Sequence, residues 1–227
     1  MVIGDGMLAK AFAAFGPNRD VVIFASGVSD SMETRAAAFE RERALLEEAR
    51  RAYPRALLVY FGTCSVNDPD RRDTPYVRHK LEMESMLMAS ERPWMVLRLP
   101  LAIGPLHRSP TLANFLHERI LRGESFEVWD RSTRYPIDVE DALRVAQVLI
   151  ADRSMWRRTI NVALHSFRVL DFVRVLEDIT GKRARYTVLP KGAHYDVPCP
   201  EVARLADELH LDMGSGYLEA VLRKYFR

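Results

Sequence analysis

The chain alternates between short, continuously apolar segments and longer segments in which apolar residues recur every three or four positions. The first kind is typical of strands buried on both faces, and it occurs at residues 21–29, 56–66 and 94–105. The second kind is typical of amphipathic helices, and it occurs at residues 31–53 and 74–84. Because the two kinds alternate, the pattern predicts a parallel sheet with helices on both faces and functional groups at the carboxyl ends of its strands.

The N-terminal segment "MVIGDGMLAKAF" predicts a minimal strand, a tight glycine turn and a helix. Gly4, Gly6 and Ala9 match the pattern G-x-G-x-x-G/A, in which the glycines let a dinucleotide pyrophosphate approach the backbone. Three small residues also occur in ordinary strand–turn–helix units. From this segment alone, a dinucleotide-binding turn and an ordinary structural turn are both possible.

The segment after the first helix is shorter than in a complete dinucleotide-binding fold. A turn after Phe15 leads directly into the apolar segment at 21–29. In a complete fold, an acidic residue about 20 positions after the glycines ends a strand and holds the adenosine ribose. Asp20 precedes a strand instead, so this contact is unassigned and NAD is not distinguished from NADP. We therefore predict a Rossmann-like sheet whose usual second and third strands are missing or reduced.

Small polar residues follow two of the apolar segments, namely Ser26 after one and Thr63 and Ser65 after the next. Tyr76 and Lys80 are four positions apart, so a helix places both on one face. Such a pair is common on ordinary amphipathic helices. Here it follows an apolar segment that ends in threonine, which favours a site where a phenol, an ammonium and a hydroxyl meet.

Composition narrows the classes of function. With 227 residues, 48% of them hydrophobic, the chain is long enough for one main domain with a small additional lobe. Its 33 basic and 31 acidic residues leave a net charge of +2 without a long run of one sign, which argues against nucleic-acid and membrane partners. Cys64 and Cys199 lack metal-ligand spacing and are too few for a disulfide framework, and no metal site is predicted. Without a signal-peptide pattern or a membrane-spanning apolar run, we expect a soluble cytoplasmic protein.

Three segments resemble the short-chain dehydrogenase/reductase superfamily, specifically the extended, nucleotide-sugar-modifying members that form the NAD-dependent epimerase/dehydratase family. "YFGTCSV" resembles the strand end in which a catalytic Ser or Thr lies three residues before a valine, which selects Thr63, with Ser65 as the second candidate. "TPYVRHK" resembles the Tyr–Lys helix. "LRLPLAIGP" resembles the following strand, although Leu101 occupies a position where sugar-nucleotide enzymes often have asparagine.

The resemblance implies an α/β fold with a shortened, doubly wound, Rossmann-like parallel sheet and a small C-terminal substrate lobe. It places the dinucleotide-binding core at residues 1–105. Residues 106–227 would return to the core at about 134–163 and otherwise form the lobe. The family also implies a homodimer through the helices after residues 31 and 76.

The resemblance also assigns binding residues. The segment "TRYPIDVEDALRVAQVLI" implies that Arg134 contacts a substrate diphosphate, and the alternative is an arginine that bridges to Asp138 or Asp141. Asn114, Ser65 and Leu101 would line the substrate pocket. The implied cofactor contacts are Gly4, Gly6, Met7, Leu8, Ala25, Ser26, Gly27, Lys80 and Pro100. The histidines near these segments have no partner at ligand spacing and are expected at the surface: His107, His117 and His194.

By the same resemblance, Tyr76 is the general acid or base, Lys80 lowers the pKa of Tyr76 and holds the nicotinamide ribose, and Thr63 orients the substrate oxygen.

Dehydratases of the family have an acidic pair after the threonine, where this chain has Cys64 and Ser65, so dehydration is disfavoured. We expect an NAD- or NADP-dependent reductase of a nucleotide-linked keto-sugar in polysaccharide or deoxysugar biosynthesis. The alternatives are an epimerase with tightly bound NAD and a non-catalytic NAD(P)-binding regulator or partner subunit. The last is kept open because the cofactor half is shortened and Tyr76 follows Thr63 by only 13 positions.

Overall fold

The fold is built around a parallel sheet. A computed structural model describes residues 1–105 and 111–227. The strands in chain order are β1 (Val2–Ile3), β2 (Val21–Phe24), β3 (Leu57–Thr63), β4 (Trp94–Leu99), β5 (Leu101–Ile103), β6 (Ser125–Trp129), β7 (Thr133–Arg134), β8 (Pro136–Asp138), β9 (Thr159–Asn161), β10 (Phe167–Arg168) and β11 (Arg185–Leu189). Five of them form the central sheet in the order β1-β2-β3-β4-β9, with every neighbouring pair parallel.

Helices cover both faces of the central sheet. They are α1 (Met7–Ala11), α2 (Ala36–Ala52), α3 (Pro75–Met88), α4 (Leu112–Arg122), α5 (Val139–Ala151), α6 (Val169–Thr180), α7 (Pro200–Leu205) and α8 (Tyr217–Tyr225), with short 3₁₀ turns at Ala13–Phe15, Cys64–Asn67 and Arg153–Met155. Side chains alternate across β3. Leu58 and Tyr60 pack in the cluster that includes residues of α2 and α3, whereas Val59 and Phe61 pack in the larger cluster on the opposite face, with α4, α5 and α6. This confirms the predicted α/β architecture.

The central sheet is shorter than a complete doubly wound sheet. In the complete order, two further strands lie on the far side of the first strand. Here β1 is only two residues long and forms the sheet edge, with no additional strand beside it among residues 1–105 and 111–227. The prediction that part of the first half is missing is therefore confirmed.

Two predicted elements have different limits in the structure. The predicted helix 31–53 begins only at Ala36, because the preceding residues form a turn in which Glu33 accepts hydrogen bonds from the next two backbone N–H groups. The predicted strand 94–105 is divided at Pro100, which has no N–H for a sheet ladder. The second part, β5, pairs with β8 instead of continuing the central sheet.

The C-terminal part of the chain adds two small sheets and the last helices. β6 pairs with β11 in parallel, and β7 pairs with β10 in antiparallel orientation. Helix α8 is attached to the end of β8 by polar contacts: the Tyr225 hydroxyl donates to Asp138, and Lys224 forms an ion pair of 2.9 Å with the same carboxylate. The Tyr217 hydroxyl donates to Asp141 and accepts from the Asp138 N–H. The proposed division at residue 105 stays a prediction.

Candidate active site

The candidate site lies at the carboxyl end of β3, the central strand. The strand ends at Thr63, and α3 begins after Thr74, whose hydroxyl accepts a hydrogen bond from the Val77 N–H and so caps the helix. One turn of α3 then separates Tyr76 from Lys80, and both side chains are buried. The Thr63 hydroxyl hydrogen-bonds the Tyr76 phenol. The structure therefore brings the three predicted catalytic residues together.

Lys80 is held on two acceptors inside the protein. Its ammonium donates to Glu42 Oε1 at 3.0 Å and to the Phe61 carbonyl at 3.4 Å. The same nitrogen lies 5.8 Å from the centre of the Tyr76 ring and 5.0 Å from that of Tyr60. The ammonium has three N–H groups, so two are used by the described residues and one remains for a ligand.

The partner of Lys80 is a fully buried carboxylate on α2. Glu42 accepts hydrogen bonds from the Val28 N–H at 2.7 Å and the Tyr60 hydroxyl at 2.6 Å, and its second oxygen lies 3.0 Å from His79 Nε2. Burial raises the pKa of this carboxyl, but the Lys80 ammonium and the hydrogen bonds outweigh that effect, so its pKa lies well below the ordinary value. Glu42 is therefore charged, and both of its carboxylate oxygens have hydrogen-bond partners.

Lys80 lowers the pKa of Tyr76, as the sequence suggested, but burial has the larger effect. Burial raises its pKa above the ordinary value near 10, and the Lys80 ammonium and the Thr63 hydrogen bond offset only part of this rise. Burial is the main cause of the rise, and the Glu42 carboxylate adds a smaller contribution to it. Tyr76 is thus a neutral phenol at physiological pH.

The predicted cofactor contacts at the glycine turn form an exposed edge. Gly4 has φ +126°, and a side chain there would meet the Ala25 carbonyl at 2.4 Å, so the turn fits closely against the end of β2. Gly6 is exposed, and no heavy atom lies within 4 Å of where its Cβ would be. This open backbone next to the tip of β2 leaves space for a pyrophosphate, so the pyrophosphate side of the site fits a dinucleotide.

Gly27 has a packing role that the sequence did not indicate. A Cβ at this position would lie 2.7 Å from the Lys80 ammonium and 2.8 Å from Glu42 Oε1. The absence of a side chain is therefore what allows the ion pair to lie against the loop after β2. The neighbouring Ser26 carbonyl accepts a hydrogen bond from Arg41.

The other predicted cofactor contacts lie in the first turn of α1 and at the break between β4 and β5. Met7 and Leu8 are in the first turn of α1, both half-buried, and the Met7 sulfur packs close to Gly104. Pro100 is half-buried at the break between β4 and β5.

Arg134 forms an ion pair, but its partner differs from both predicted carboxylates. Its Nη1 lies 3.5 Å from Asp68 Oδ2, whereas Asp138 and Asp141 are engaged by α8. Asp68 is buried and follows directly after the 3₁₀ turn Cys64–Asn67 that begins next to Thr63. Arg134 is consequently held next to Asp68, which follows Thr63 by only a few chain positions.

A second arginine adds positive charge to this cluster. Arg71 is partly buried, and burial together with the nearby Arg134 guanidinium lowers its pKa, while Asp68 acts in the opposite sense. Burial raises the pKa of Tyr195 to about 12, against the lowering effect of Arg134. Arg134 pairs with Asp68, whereas the Arg71 guanidinium donates to the Ser31 hydroxyl at 3.2 Å. Two guanidinium groups near each other suit an anion.

The remaining predicted substrate residues lie in three different elements. The Ser65 N–H donates to the Thr63 hydroxyl at 3.1 Å, Leu101 is half-buried in β5, and Asn114 is buried in α4. Of the histidines, His117 packs edge-on against Phe226. His107 lies outside the described residues.

His194 is exposed in the C-terminal lobe and has polar neighbours there. Its ring lies 3.3 Å from the Thr133 hydroxyl and 3.4 Å from the Asp196 carboxylate. With Thr133, Phe167 and Leu218 it lines a cavity of about 560 Å³. None of these contacts involves the Thr63–Tyr76–Lys80 group.

The sequence analysis assigned no role to Glu42, which lies in the amphipathic segment at 31–53. A signal was present, because Glu42, Leu46 and Ala49 recur at helical spacing and all three are buried. A single carboxylate inside an otherwise apolar stripe requires a buried cationic partner. Asp68 and Arg71 were also missed, and their turn-rich segment has no periodicity that could have indicated burial.

The parallel sheet defines a Rossmann-like α/β protein, and the Thr–Tyr–Lys group lies at its carboxyl edge. A family model described as "NAD dependent epimerase/dehydratase family" matches residues 5–163, more than two thirds of the chain. The chain belongs to this family. No significant match is found among curated proteins.

Solved structures of this family share the fold at low sequence identity. The UDP-glucose 4-epimerase of Thermus thermophilus, complexed with NAD, has a TM-score of 0.69 and 17% identity, over 97% of this chain and 82% of that one. The UDP-N-acetylglucosamine 4-epimerase of Methanobrevibacter ruminantium, complexed with UDP-N-acetylmuramic acid, has a TM-score of 0.70 and 15% identity, over 98% and 79%. The Pseudomonas aeruginosa protein RMD, complexed with NADPH, has a TM-score of 0.67 and 18% identity, over 92% and 81%.

Within the described residues, no helix is long and apolar enough to cross a membrane.

Proposed function

We propose that the protein is an NAD(P)-dependent oxidoreductase that reduces a keto group on a nucleotide-linked sugar. The main support is the group of Thr63, Tyr76 and Lys80 at the carboxyl end of β3, in a chain of the epimerase/dehydratase family. The relatives complexed with NAD, NADPH and a UDP-linked ligand support the cofactor and substrate class.

Each of the three residues has a distinct role in this proposal. The Tyr76 phenol donates its proton to the carbonyl oxygen as that oxygen becomes an alcohol. The Thr63 hydroxyl, next to the phenol, hydrogen-bonds the same oxygen and fixes its orientation. The remaining N–H of Lys80 would hold the nicotinamide ribose. A bound nicotinamide supplies the hydride.

The pyrophosphate of the cofactor would lie at the glycine turn, against Gly4, Gly6 and the tip of β2, where the backbone is exposed. On the substrate side, Arg134 and Arg71 would hold the nucleotide diphosphate, since their guanidinium groups lie near each other. The two anionic groups would therefore have separate positions, one at the glycine turn and one at the two arginines.

The short sheet favours reduction over epimerisation. An epimerase oxidises and then reduces its substrate with one retained cofactor, whereas a reductase must exchange its cofactor in each turnover. The strands that normally contact adenosine are absent beyond β1 within the described part of the chain, so fewer contacts retain the dinucleotide. Epimerisation with bound NAD is the second candidate, supported by the two 4-epimerases among the similar structures.

Titration of the purified protein with NADH and with NADPH, followed by fluorescence, tests the proposal. We expect saturable binding of an exchangeable NADPH and, on addition of keto-sugar nucleotides, oxidation of NADPH. An NAD that stays bound through purification would favour the epimerase. If neither dinucleotide binds, the oxidoreductase proposal is wrong.

Replacement of Arg134 by alanine should raise the KM for the nucleotide sugar by about 10- to 100-fold, the value of a charge-assisted hydrogen bond. NADPH affinity should not change, because Arg134 lies with Asp68 and Arg71, away from the glycine turn. Steady-state kinetics with both substrates measures the two effects. Arg158→Ala is the control, since Arg158 is also ion-paired, to Glu201, but outside this cluster. A change in thermal stability with an unaltered KM would mean that Arg134 is structural.

A further inference from the structure

Lys80 is more deeply buried than a lysine that only contacts a ligand needs to be. Its side chain is 4% exposed and that of Glu42 is fully buried, and the two form an ion pair of 3.0 Å. Both charges are thus removed from water, where screening is weak and each strongly affects its neighbours. The nearest ionisable group with a chemical role is Tyr76, since the Lys80 ammonium lies 5.8 Å from the centre of its ring.

Contacts from three segments of the chain hold the Glu42 side chain in place. It is held by Tyr60 on β3, by His79 and Lys80 on α3, and by the N–H of Val28 after β2. The His79 ring is in turn stacked on Phe39 at 4.6 Å. A carboxylate fixed in this way keeps its negative charge at a constant distance from Lys80.

The ionisable groups around Tyr76 are accounted for in the structure. Lys80 favours the phenolate, whereas Glu42 and Cys64 oppose it. Tyr60 and Cys64 are themselves neutral, since burial raises the pKa of both. His79 faces Glu42, and Glu84, on the same helix, is paired with Arg98. Lys80 is therefore the one cation of this group that favours the phenolate, and Glu42 is the anion that offsets it.

We infer that Glu42 is a positioning residue that fixes the Lys80 ammonium and offsets part of its charge, so that the Tyr76 phenol holds its proton more firmly and donates it to a carbonyl. This inference rests on the proposed function and gives it a direction. A site that begins by oxidising an alcohol needs a phenolate to accept the proton, whereas a site that reduces a carbonyl needs a phenol. The Glu42 carboxylate favours the second, because it raises the pKa of Tyr76.

The experiment is a pH titration of Tyr76 by the ultraviolet absorbance of its phenolate. The chain has eight tyrosines, so each protein is compared with the same protein carrying Tyr76→Phe, and the difference isolates Tyr76. In Glu42→Gln, Lys80 keeps its charge without the anion, and the pKa of Tyr76 should fall by about one unit or more. Glu84→Gln is the matched control: it removes another buried carboxylate, one that pairs with Arg98, and should leave the titration of Tyr76 unchanged.

A second variant guards against loss of folding in Glu42→Gln. The double variant Glu42→Gln with Lys80→Gln removes both charges, so the pKa of Tyr76 should rise clearly above its value in Glu42→Gln, because the cation that favours the phenolate is gone. An unchanged titration in a folded Glu42→Gln protein would overturn the inference, as would a double variant in which the pKa of Tyr76 stays as low as in Glu42→Gln.

The pH dependence of NADPH-driven reduction provides a readout in the working enzyme. Turnover should fall at high pH as Tyr76 loses its proton, and in Glu42→Gln this fall should move down by about the same one unit. If the unmodified protein neither binds NADPH nor reduces any keto-sugar nucleotide, the proposed function fails. The absorbance titration then still decides whether Glu42 offsets Lys80.

Discussion

Replacement of Tyr76 by phenylalanine is expected to lower turnover by about 10²- to 10⁴-fold, the usual contribution of a positioned general acid. The ring would remain, and with it the packing against Val28 and Val77. Only the hydroxyl that hydrogen-bonds Thr63 and donates the proton would be lost. Because this hydroxyl lies on the substrate side of the site, NADPH affinity should be unchanged.

The measurement combines steady-state turnover with fluorescence titration of NADPH. Tyr53→Phe is the matched control, since Tyr53 is a half-buried tyrosine at the end of α2, outside the site. Turnover that survives Tyr76→Phe would show that Tyr76 is not the proton donor. Loss of turnover together with loss of NADPH binding would instead indicate a damaged fold.

Replacement of Lys80 by alanine should impair NADPH binding, turnover and stability together. It removes the proposed ribose contact and leaves Glu42 as a buried charge without its cation. Breaking a buried ion pair from one side costs about 3–5 kcal/mol of the free energy of unfolding. Chemical denaturation and NADPH titration of the same preparation measure both losses.

A second substitution separates the two effects of Lys80→Ala. Adding Glu42→Gln removes the uncompensated charge, so much of the lost stability should return. Turnover should stay low, because the alanine provides neither the ammonium nor its N–H groups. If turnover returned with stability, Lys80 would be a purely structural residue, and its assignment as a catalytic residue would be wrong.

The sequence was sufficient for the architecture, since continuous apolar runs such as the one in β3 occur only where a strand is covered on both faces. It also identified Tyr76 and Lys80, because helical periodicity alone places residues four apart on one face. The missing part of the first half of the Rossmann-like sheet could also be predicted from the sequence. The distance from Phe15 to Val21 leaves no room for another strand and helix.

Contacts between distant segments could not be predicted in this way. In the sequence, Asp68, Asp138 and Asp141 are all possible partners of Arg134. Only the three-dimensional course of the turn after Thr63 places Asp68 beside it. The pKa of Tyr76 depends on the same kind of information. From the sequence, Lys80 is an isolated cation. In the fold, it is paired with Glu42, which lies 38 positions earlier.

The attachment of α8 to Asp138 has a consequence for the order in which the site forms during synthesis. Thr63, Tyr76, Lys80 and Glu42 all precede residue 100, and their contacts span fewer than 40 positions. The strand that follows Arg134 is instead held by Tyr225, 87 positions later. We therefore expect the proton-donating half to assemble while the chain is still emerging. The half that would recognise an anionic substrate becomes rigid only after α8 has docked.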